Sequence, residues 1–256
     1  MDTLDHLRAL DSDGRLLVKA ARSAGAAAPV PSCPGWEVRD MLSHTGFVHR
    51  WAARYVAEGL TEMVVEPDDS ELLSVGPAGD AIFSWFADGH AALVETLSSA
   101  PPDVRCWTFL PAPSPLAFWA RRQAHETAVH RVDAELAAGA SPTAFDTAFA
   151  VDGTDELLLG FFARRRRVAQ DVRPGAMTFE ASDTDAAWTV STSADGIKTQ
   201  RGRSDSELSV RGTASDLYLL LWNRLLWYAG PPGGVDLEGD TGLLASWKDH
   251  FRVTWS

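Results

Sequence analysis

Apolar residues recur at the 3.6-residue spacing of amphipathic helices along four stretches in the first half of the chain. These stretches are Thr3 to Arg22, Trp36 to Ala57, Ile82 to Leu97 and Leu116 to Ala138. The second stretch follows a Pro-Gly turn signal at Pro34 and Gly35, and Gly14 weakens the middle of the first. The pattern predicts four helices that pack as a bundle.

The pattern changes after residues 141–146, whose composition is that of a linker. One more helical stretch, from Asp155 to Arg167, precedes short β-rich segments that are divided by Asp-Thr-Asp and Ala-Asp-Gly turn signals. These segments are Met177 to Ala181, Trp188 to Ser193, Ile197 to Arg201 and Glu207 to Val210. They predict a small antiparallel sheet. A last helix is predicted from Asp216 to Tyr228, capped by Thr213 or Ser215 and stopped by a Pro-Pro-Gly-Gly run.

These elements predict an α+β protein with two domains. Residues 1–145 form the predicted four-helix bundle, and residues 146–256 form a small α+β domain. The chain has 256 residues, of which 45% are hydrophobic, and this is enough for two modest buried cores.

The charge balance limits the partners of the protein. The chain has 35 acidic and 23 basic side chains, a formal net charge of −12, which argues against nucleic acid as a main ligand. No uncharged apolar run approaches the roughly 18 residues that a membrane crossing needs. The N-terminus lacks the basic start and apolar core of a secretion signal, and the only cysteines are Cys33 and Cys106. We therefore expect a cytoplasmic protein.

The fourth helical stretch carries side chains that are suited to chemistry. Glu126 and His130 are four residues apart, about one helical turn. They share one helix face with Trp119, Gln123 and Asp133. Carboxylate oxygen and neutral imidazole nitrogen are both good zinc ligands, so the pair could supply two ligands of a metal site. A structural Glu-His hydrogen bond fits the same spacing.

A third ligand has to come from elsewhere, and bundle metal sites are usually built from the side chains of facing helices. The second helix offers His44 and His49, which lie at opposite edges of its apolar stripe. Periodicity leaves both candidates open. His125 lies on a different face of the fourth helix, where hydrogen-bonded packing is the alternative to a place near the metal.

Three runs of sequence occur together in this chain. They are VPSCPGWEVRDMLSHTGFVHRWA from Val30, FWARRQAHETAVHRVDAELAAG from Phe118 and VRGTASDLYLLLWNRL from Val210. In their order and separation they resemble the mycothiol-dependent maleylpyruvate isomerase family. The resemblance implies an N-terminal DinB-like four-helix bundle and a C-terminal domain similar to sterol carrier proteins.

The same resemblance implies a ligand set. In the family, the metal is held by a histidine of the Pro-Gly-Trp helix and by a glutamate and a histidine four residues apart in the fourth helix. These positions match His44, Glu126 and His130, so the resemblance selects His44 over His49. It implies Zn2+ or another divalent metal, with mycothiol as the thiol cosubstrate.

Arg224 is a further candidate, because a guanidinium within the apolar run LYLLLWNRLLWY needs an anionic partner or an exit to water. The family binds anionic substrate and thiol at the junction of its domains, and Arg224 falls in its C-terminal motif. The resemblance thus implies that Arg224 binds a carboxylate, and pairing with an acidic residue of the protein is the alternative. Neither cysteine has a context that would activate it as a nucleophile.

Residues and resemblance together predict a divalent-metal-dependent enzyme that activates mycothiol for addition to an electrophile, as a maleylpyruvate isomerase or as a thiol S-transferase. Two other classes are compatible with the same residues. One is a noncatalytic module that binds a metal or a small ligand, and the other is a metal-dependent hydrolase that uses a zinc-bound water. The expected partners are the small-molecule electrophile and the thiol, without nucleic acid or membrane, and the expected state is a monomer or homodimer.

Overall fold

The computed structural model describes residues 1–63, 75–164, 171–225 and 234–251. The chain divides into two compact units, one made of residues 1–143 and a second that begins at Ala144. In the described part of the first unit there are four long helices: α1 (Thr3–Ala24), α2 (Val38–Glu58), α3 (Ala81–Ser99) and α4 (Pro115–Ala137). The four predicted helices are therefore confirmed, with ends that differ from the prediction by a few residues.

Local signals in the sequence fix where two of these helices begin. The Asp2 side chain accepts a hydrogen bond from the Asp5 backbone N–H at the start of α1. The Ser114 hydroxyl caps α4 in the same way, and Pro115 occupies the first helical position, where its missing N–H costs nothing.

The four helices form a closed bundle in which α1 packs against α3 and α4, and α2 packs against the same two helices. Apolar side chains from α1, α2 and α3 meet in the core, and they include Leu17, Met41, Leu42, Phe83 and Phe86. Helix α4 is buried along most of its length, and its buried residues include charged and polar ones. The bundle therefore has to accommodate polar groups at its centre.

Gly14 has a packing role in α1. The His90 ring of α3 lies directly over it, because a Cβ atom built on Gly14 would be 2.1 Å from His90 Nε2. That nitrogen lies 3.0 Å from the Leu10 carbonyl oxygen, so a hydrogen bond joins α3 to the backbone of α1. The glycine weakens the helix locally but allows this close approach.

The second unit begins with α5 (Thr147–Asp155), which continues through a π-helical segment (Glu156–Phe161) into a short 3-10 turn (Phe162–Arg164). The prediction of a helix from Asp155 to Arg167 was wrong at its start, and residues 165–167 lie outside the described residues. The helix begins earlier because the Asp146 side chain, in the predicted linker, accepts hydrogen bonds from the backbone N–H groups of Ala148 and Phe149.

A five-stranded sheet follows. Its strands are β1 (Gly175–Ala181), β2 (Ala187–Ser193), β3 (Gly196–Arg201), β4 (Leu208–Gly212) and β5 (Val235–Gly239), in the order β3-β2-β1-β4-β5. The four predicted strands are present. The antiparallel prediction was wrong for one pair, because β4 runs parallel to β1 with Phe179 opposite Val210. Strand β5, which pairs antiparallel with β4, was not predicted.

The described residues of the second unit also contain the helices α6 (Ala214–Leu221) and α7 (Gly242–His250). Thr213 caps α6 as one of the two predicted alternatives. The helix ends before the predicted Tyr228, since Asn223 adopts a left-handed φ of 59°, and residues 226–233 lie outside the described residues. Helix α7 was not predicted. The α+β class is confirmed.

None of the helices in the described part of the chain combines the length and the apolar composition that a bilayer crossing requires.

We expect Gly14→Ala to lower the free energy of unfolding by about 1 to 3 kcal/mol, although alanine is the better helix former. The added methyl group meets the His90 ring, so α1 and α3 have to move apart. Urea denaturation measures the change. Ser12→Ala, at an exposed position of the same helix, is the control and should stay within about 0.5 kcal/mol of the parent. A Gly14→Ala protein as stable as the parent would contradict this account of the packing.

Candidate metal centre in the helical bundle

The loop between α1 and α2 is a tight structure, which we call the Pro-Gly-Trp loop (residues 29–37). Pro29 and Glu37 form an isolated antiparallel bridge, and the Val30 N–H donates to the Trp36 carbonyl oxygen at 2.9 Å. Gly35 has a φ of 89°, a left-handed conformation that favours glycine. These backbone contacts determine the conformation of the chain just before α2, including the position of Trp36.

Three predicted ligands meet where α2 faces α4. His44 Nε2 lies 3.4 Å from Glu126 Oε1, and His130 Nε2 lies 3.3 Å from the same oxygen. The three donor atoms are all within 4.8 Å of one another. Each of the three residues is only 5 to 6% exposed. The structure therefore brings together the set that the family resemblance implied.

These distances fit a metal centre. As hydrogen bonds in the metal-free protein they are long, because the usual range is about 2.7 to 3.2 Å. Four ligands around zinc at about 2.0 to 2.1 Å are separated by about 3.3 to 3.4 Å, the edge of a tetrahedron. Two imidazoles and one carboxylate are also a common zinc donor set, and three protein ligands leave one position for a substrate. His44, Glu126 and His130 could thus hold a divalent cation.

Two neighbours on α4 hold the outer atoms of the candidate ligands. Arg122 Nη2 donates to Glu126 Oε2 at 3.0 Å, which leaves Oε1 facing the two histidines. His130 Nδ1 lies 2.8 Å from Asp133 Oδ2, which leaves Nε2 facing Glu126. Each contact spans one helical turn, so α4 itself orients both of its candidate ligands.

In the metal-free cluster, the surroundings favour the charged forms of Glu126 and His130. Burial opposes ionisation of Glu126, but hydrogen bonds from His130 and His44 and the charge of Arg122 take its pKa well below the usual range. Burial likewise disfavours protonated His130, but its hydrogen bonds to Asp133 and Glu126, together with their charges, raise its pKa to about 9. Without a metal, the His130 ring is therefore protonated on both nitrogens and positively charged at neutral pH.

Sequence reasoning missed three contributions of the Pro-Gly-Trp loop. The Ser32 hydroxyl donates a short hydrogen bond to Asp133 Oδ1, and Cys33 Sγ lies 3.6 Å from Asp133 Oδ2. The Trp36 ring stacks on the His130 ring at a centroid distance of 6.4 Å and an angle of 13°. The Pro-Gly turn signal identified the loop, but nothing local in the sequence pairs it with residues about 100 positions later.

His49 and His125 lie elsewhere in the bundle. His49 Nε2 is 2.8 Å from the Thr127 hydroxyl, and the His49 ring packs against Phe86. Burial and the nearby His90 lower the pKa of His49 well below its ordinary value, so it is a neutral packing residue. His125 packs edge-on against His6 with ring centroids 5.9 Å apart.

Gln123 lies one helical turn before Glu126 on α4 and is fully buried. Among the described residues, neither its amide nitrogen nor its amide oxygen has a hydrogen-bond partner. A buried amide without partners costs free energy, and such groups are commonly satisfied by a bound molecule.

Arg224 belongs to the second unit. It lies beyond the end of α6 and is half-buried, and its Nη1 donates to the Trp222 carbonyl oxygen at 2.9 Å. The predicted position of this guanidinium inside an apolar helix was therefore wrong, because the helix stops at Leu221.

Comparison with known proteins agrees with the fold. The sequence model of the mycothiol maleylpyruvate isomerase N-terminal domain matches residues 7–135, and that of the MDMPI C-terminal domain matches residues 148–246. The crystal structure of the mycothiol-dependent maleylpyruvate isomerase superposes with a TM-score of 0.65 at 14% identity, over 94% of this chain and 95% of that one. A histidine-to-alanine mutant of that enzyme gives a TM-score of 0.66 at 12% identity, with the same coverage. Curated protein sequences give no significant match.

Fold and site together define an α+β protein whose N-terminal helical bundle holds a buried cluster of two histidines and one glutamate. The domain matches cover both units of the chain. The chain belongs to the mycothiol maleylpyruvate isomerase family.

We expect Gln123→Met to leave the free energy of unfolding unchanged or to raise it by up to about 1 kcal/mol. The substitution keeps the length of the side chain, breaks no hydrogen bond to the described residues and removes two buried polar groups. Thr127→Val, one turn later on α4, loses the bond to His49 and should cost about 1 to 2 kcal/mol. Urea denaturation compares them, and equal losses in the two variants would mean that the Gln123 amide has partners in the protein.

Proposed function

We propose that this protein is a metal-dependent enzyme that activates a low-molecular-weight thiol, mycothiol, for addition to an electrophilic small molecule. One observation carries the proposal. Two imidazole nitrogens lie 3.3 and 3.4 Å from one carboxylate oxygen, the spacing of ligands around a tetrahedral cation, in a bundle that belongs to this family.

His44, Glu126 and His130 would hold the cation, with zinc as the metal that best matches the donor set. When bound, the divalent cation would lower the pKa of a thiol enough to favour its thiolate at neutral pH. Arg122 and Asp133 keep the donor atoms of Glu126 and His130 turned toward each other. The residues of the chain therefore supply a rigid, buried and pre-oriented site.

The thiol has to come from a cosubstrate. Burial raises the pKa of the Cys106 thiol, which keeps it in its unreactive protonated form. The half-buried Cys33 thiol lies 3.6 Å from Asp133 Oδ2 and donates its weak hydrogen bond to that carboxylate.

The proposed chemistry is conjugate addition. The sulfur adds to the double bond of an electrophile such as maleylpyruvate, and the carbon–carbon bond becomes single and rotates. Elimination then releases the thiol and the trans isomer, fumarylpyruvate, so that no atoms are gained or lost. If elimination does not follow, the same first step is S-transfer, and the electrophile decides between these outcomes.

Two further residues are proposed to contact substrate. The Gln123 amide can both donate and accept hydrogen bonds, and it lies one turn from the candidate ligand Glu126. Arg224 offers a half-buried guanidinium that can bind a carboxylate in a bidentate manner.

The purified protein should contain one equivalent of zinc or another divalent metal. We expect His130→Ala and Glu126→Gln to weaken zinc binding on the order of a hundredfold or more, because each removes one of three protein ligands. Chelator competition measures the affinity, and assays of thiol consumption and fumarylpyruvate formation measure turnover, which should fall in parallel. His250→Ala, at the end of α7, is the control and should retain both properties. Undiminished metal in both ligand variants would refute the site.

For Arg224→Met we expect the apparent affinity for a dicarboxylate electrophile to fall about tenfold to a hundredfold, because a charge-assisted bidentate contact is worth about 1.5 to 3 kcal/mol. Metal content and melting temperature should stay unchanged. Arg211→Met, on an exposed position of β4, is the matched control. Saturation kinetics measure the apparent affinity and thermal melts measure the stability of the same preparations. A large fall in melting temperature with unchanged affinity would assign Arg224 to a protein carboxylate instead.

A further inference from the structure

Asp133 is a fully buried carboxylate that links two separate parts of the bundle. On its own helix, α4, its Oδ2 lies 2.8 Å from His130 Nδ1. From the Pro-Gly-Trp loop, the Ser32 hydroxyl donates to Oδ1, and Cys33 Sγ lies 3.6 Å from Oδ2. The carboxylate thus lies between a candidate ligand and a loop that is 100 residues away in the sequence.

The contact with Asp133 decides which ring nitrogen of His130 is available. A carboxylate accepts hydrogen bonds and donates none, so Nδ1 has to carry a proton to make this bond. In the neutral ring the lone pair is then on Nε2, the atom that lies 3.3 Å from Glu126 Oε1. A histidine with this partner is confined both to one tautomer and to one ring orientation.

Ser32 in turn orients the Asp133 carboxylate. Its hydrogen bond holds Oδ1, so the carboxylate plane is fixed from the loop side while Oδ2 remains directed at His130. The loop is itself rigid because of its bridge between Pro29 and Glu37 and its turn at Gly35. The same loop stacks the Trp36 ring on the His130 imidazole.

We propose that Asp133, oriented by Ser32, is a positioning residue that makes His130 a ligand through Nε2 and couples the Pro-Gly-Trp loop to metal affinity. This inference rests on the metal site of the proposed function. It does not depend on the identity of the thiol or of the electrophile.

Cobalt(II) binding to metal-stripped protein tests the proposal, because the absorption spectrum of cobalt reports ligand geometry and chelator competition gives the affinity. We expect Asp133→Ala to weaken cobalt and zinc binding about tenfold to a hundredfold, the usual cost of losing such a partner, and to change the cobalt spectrum. Asp133→Asn should weaken metal binding less than Asp133→Ala does, since its amide oxygen still accepts a hydrogen bond from His130 Nδ1. Ser32→Ala should weaken metal binding a few-fold. Asp88→Asn, an exposed acid on α3, is the control and should change neither quantity.

Thermal melts of the metal-free variants separate positioning from folding. If Asp133→Ala and Ser32→Ala retain the affinity and spectrum of the parent and differ only in melting temperature, the role of Asp133 is structural and the proposal is wrong. A parent protein that binds no cobalt or zinc overturns both this inference and the proposed function. If the variants bind metal in the expected order of affinity but the parent protein does not turn over a thiol, this inference is supported and only the proposed function is refuted.

Discussion

The structure of the bundle depends on how helix α4 buries charge. An ionised side chain in a protein core is tolerated only when it is paired and hydrogen-bonded, and removal of one partner of a buried pair costs about 3 to 5 kcal/mol. On α4 the partners lie one turn apart, so that formation of the helix brings them together. The pairs are Arg122 with Glu126, His130 with Asp133, and Arg131 with Glu135, and Asp13 of α1 also contacts Arg131. The candidate centre is one part of this continuous set of intrahelical pairs.

Because α4 orients two of the three candidate ligands by itself, the tertiary structure has to deliver only His44. That residue lies on α2, in the second turn after the Pro-Gly-Trp loop. The loop contacts α4 through Ser32 and through the stacking of Trp36 on His130. These contacts hold the start of α2 against α4, the helix that carries the other two candidate ligands. Local contacts between the loop and α4 therefore help to place His44 near Glu126 and His130.

The long helices were predictable because each repeats its apolar positions over many turns. The pairing of Glu126 with His130 was predictable from their spacing, whereas the choice of His44 over His49 came from family resemblance. Strand β5 was missed because it is short and half-exposed, and the parallel pairing of β4 with β1 was missed because periodicity carries no strand direction. The contact of Ser32 with Asp133 was out of reach, because it joins positions 101 residues apart.

The buried groups around the cluster have a charge balance that follows from the pairs on α4. Glu126 is paired with Arg122 and Asp133 with His130, so each of these buried acidic groups faces a basic group of the same helix. In the proposed site, a divalent cation in place of the His130 proton would add one positive charge in a poorly solvated place. A ligand that arrives as an anion, or that loses one proton on binding, would offset this charge, whereas a neutral molecule would leave it uncompensated.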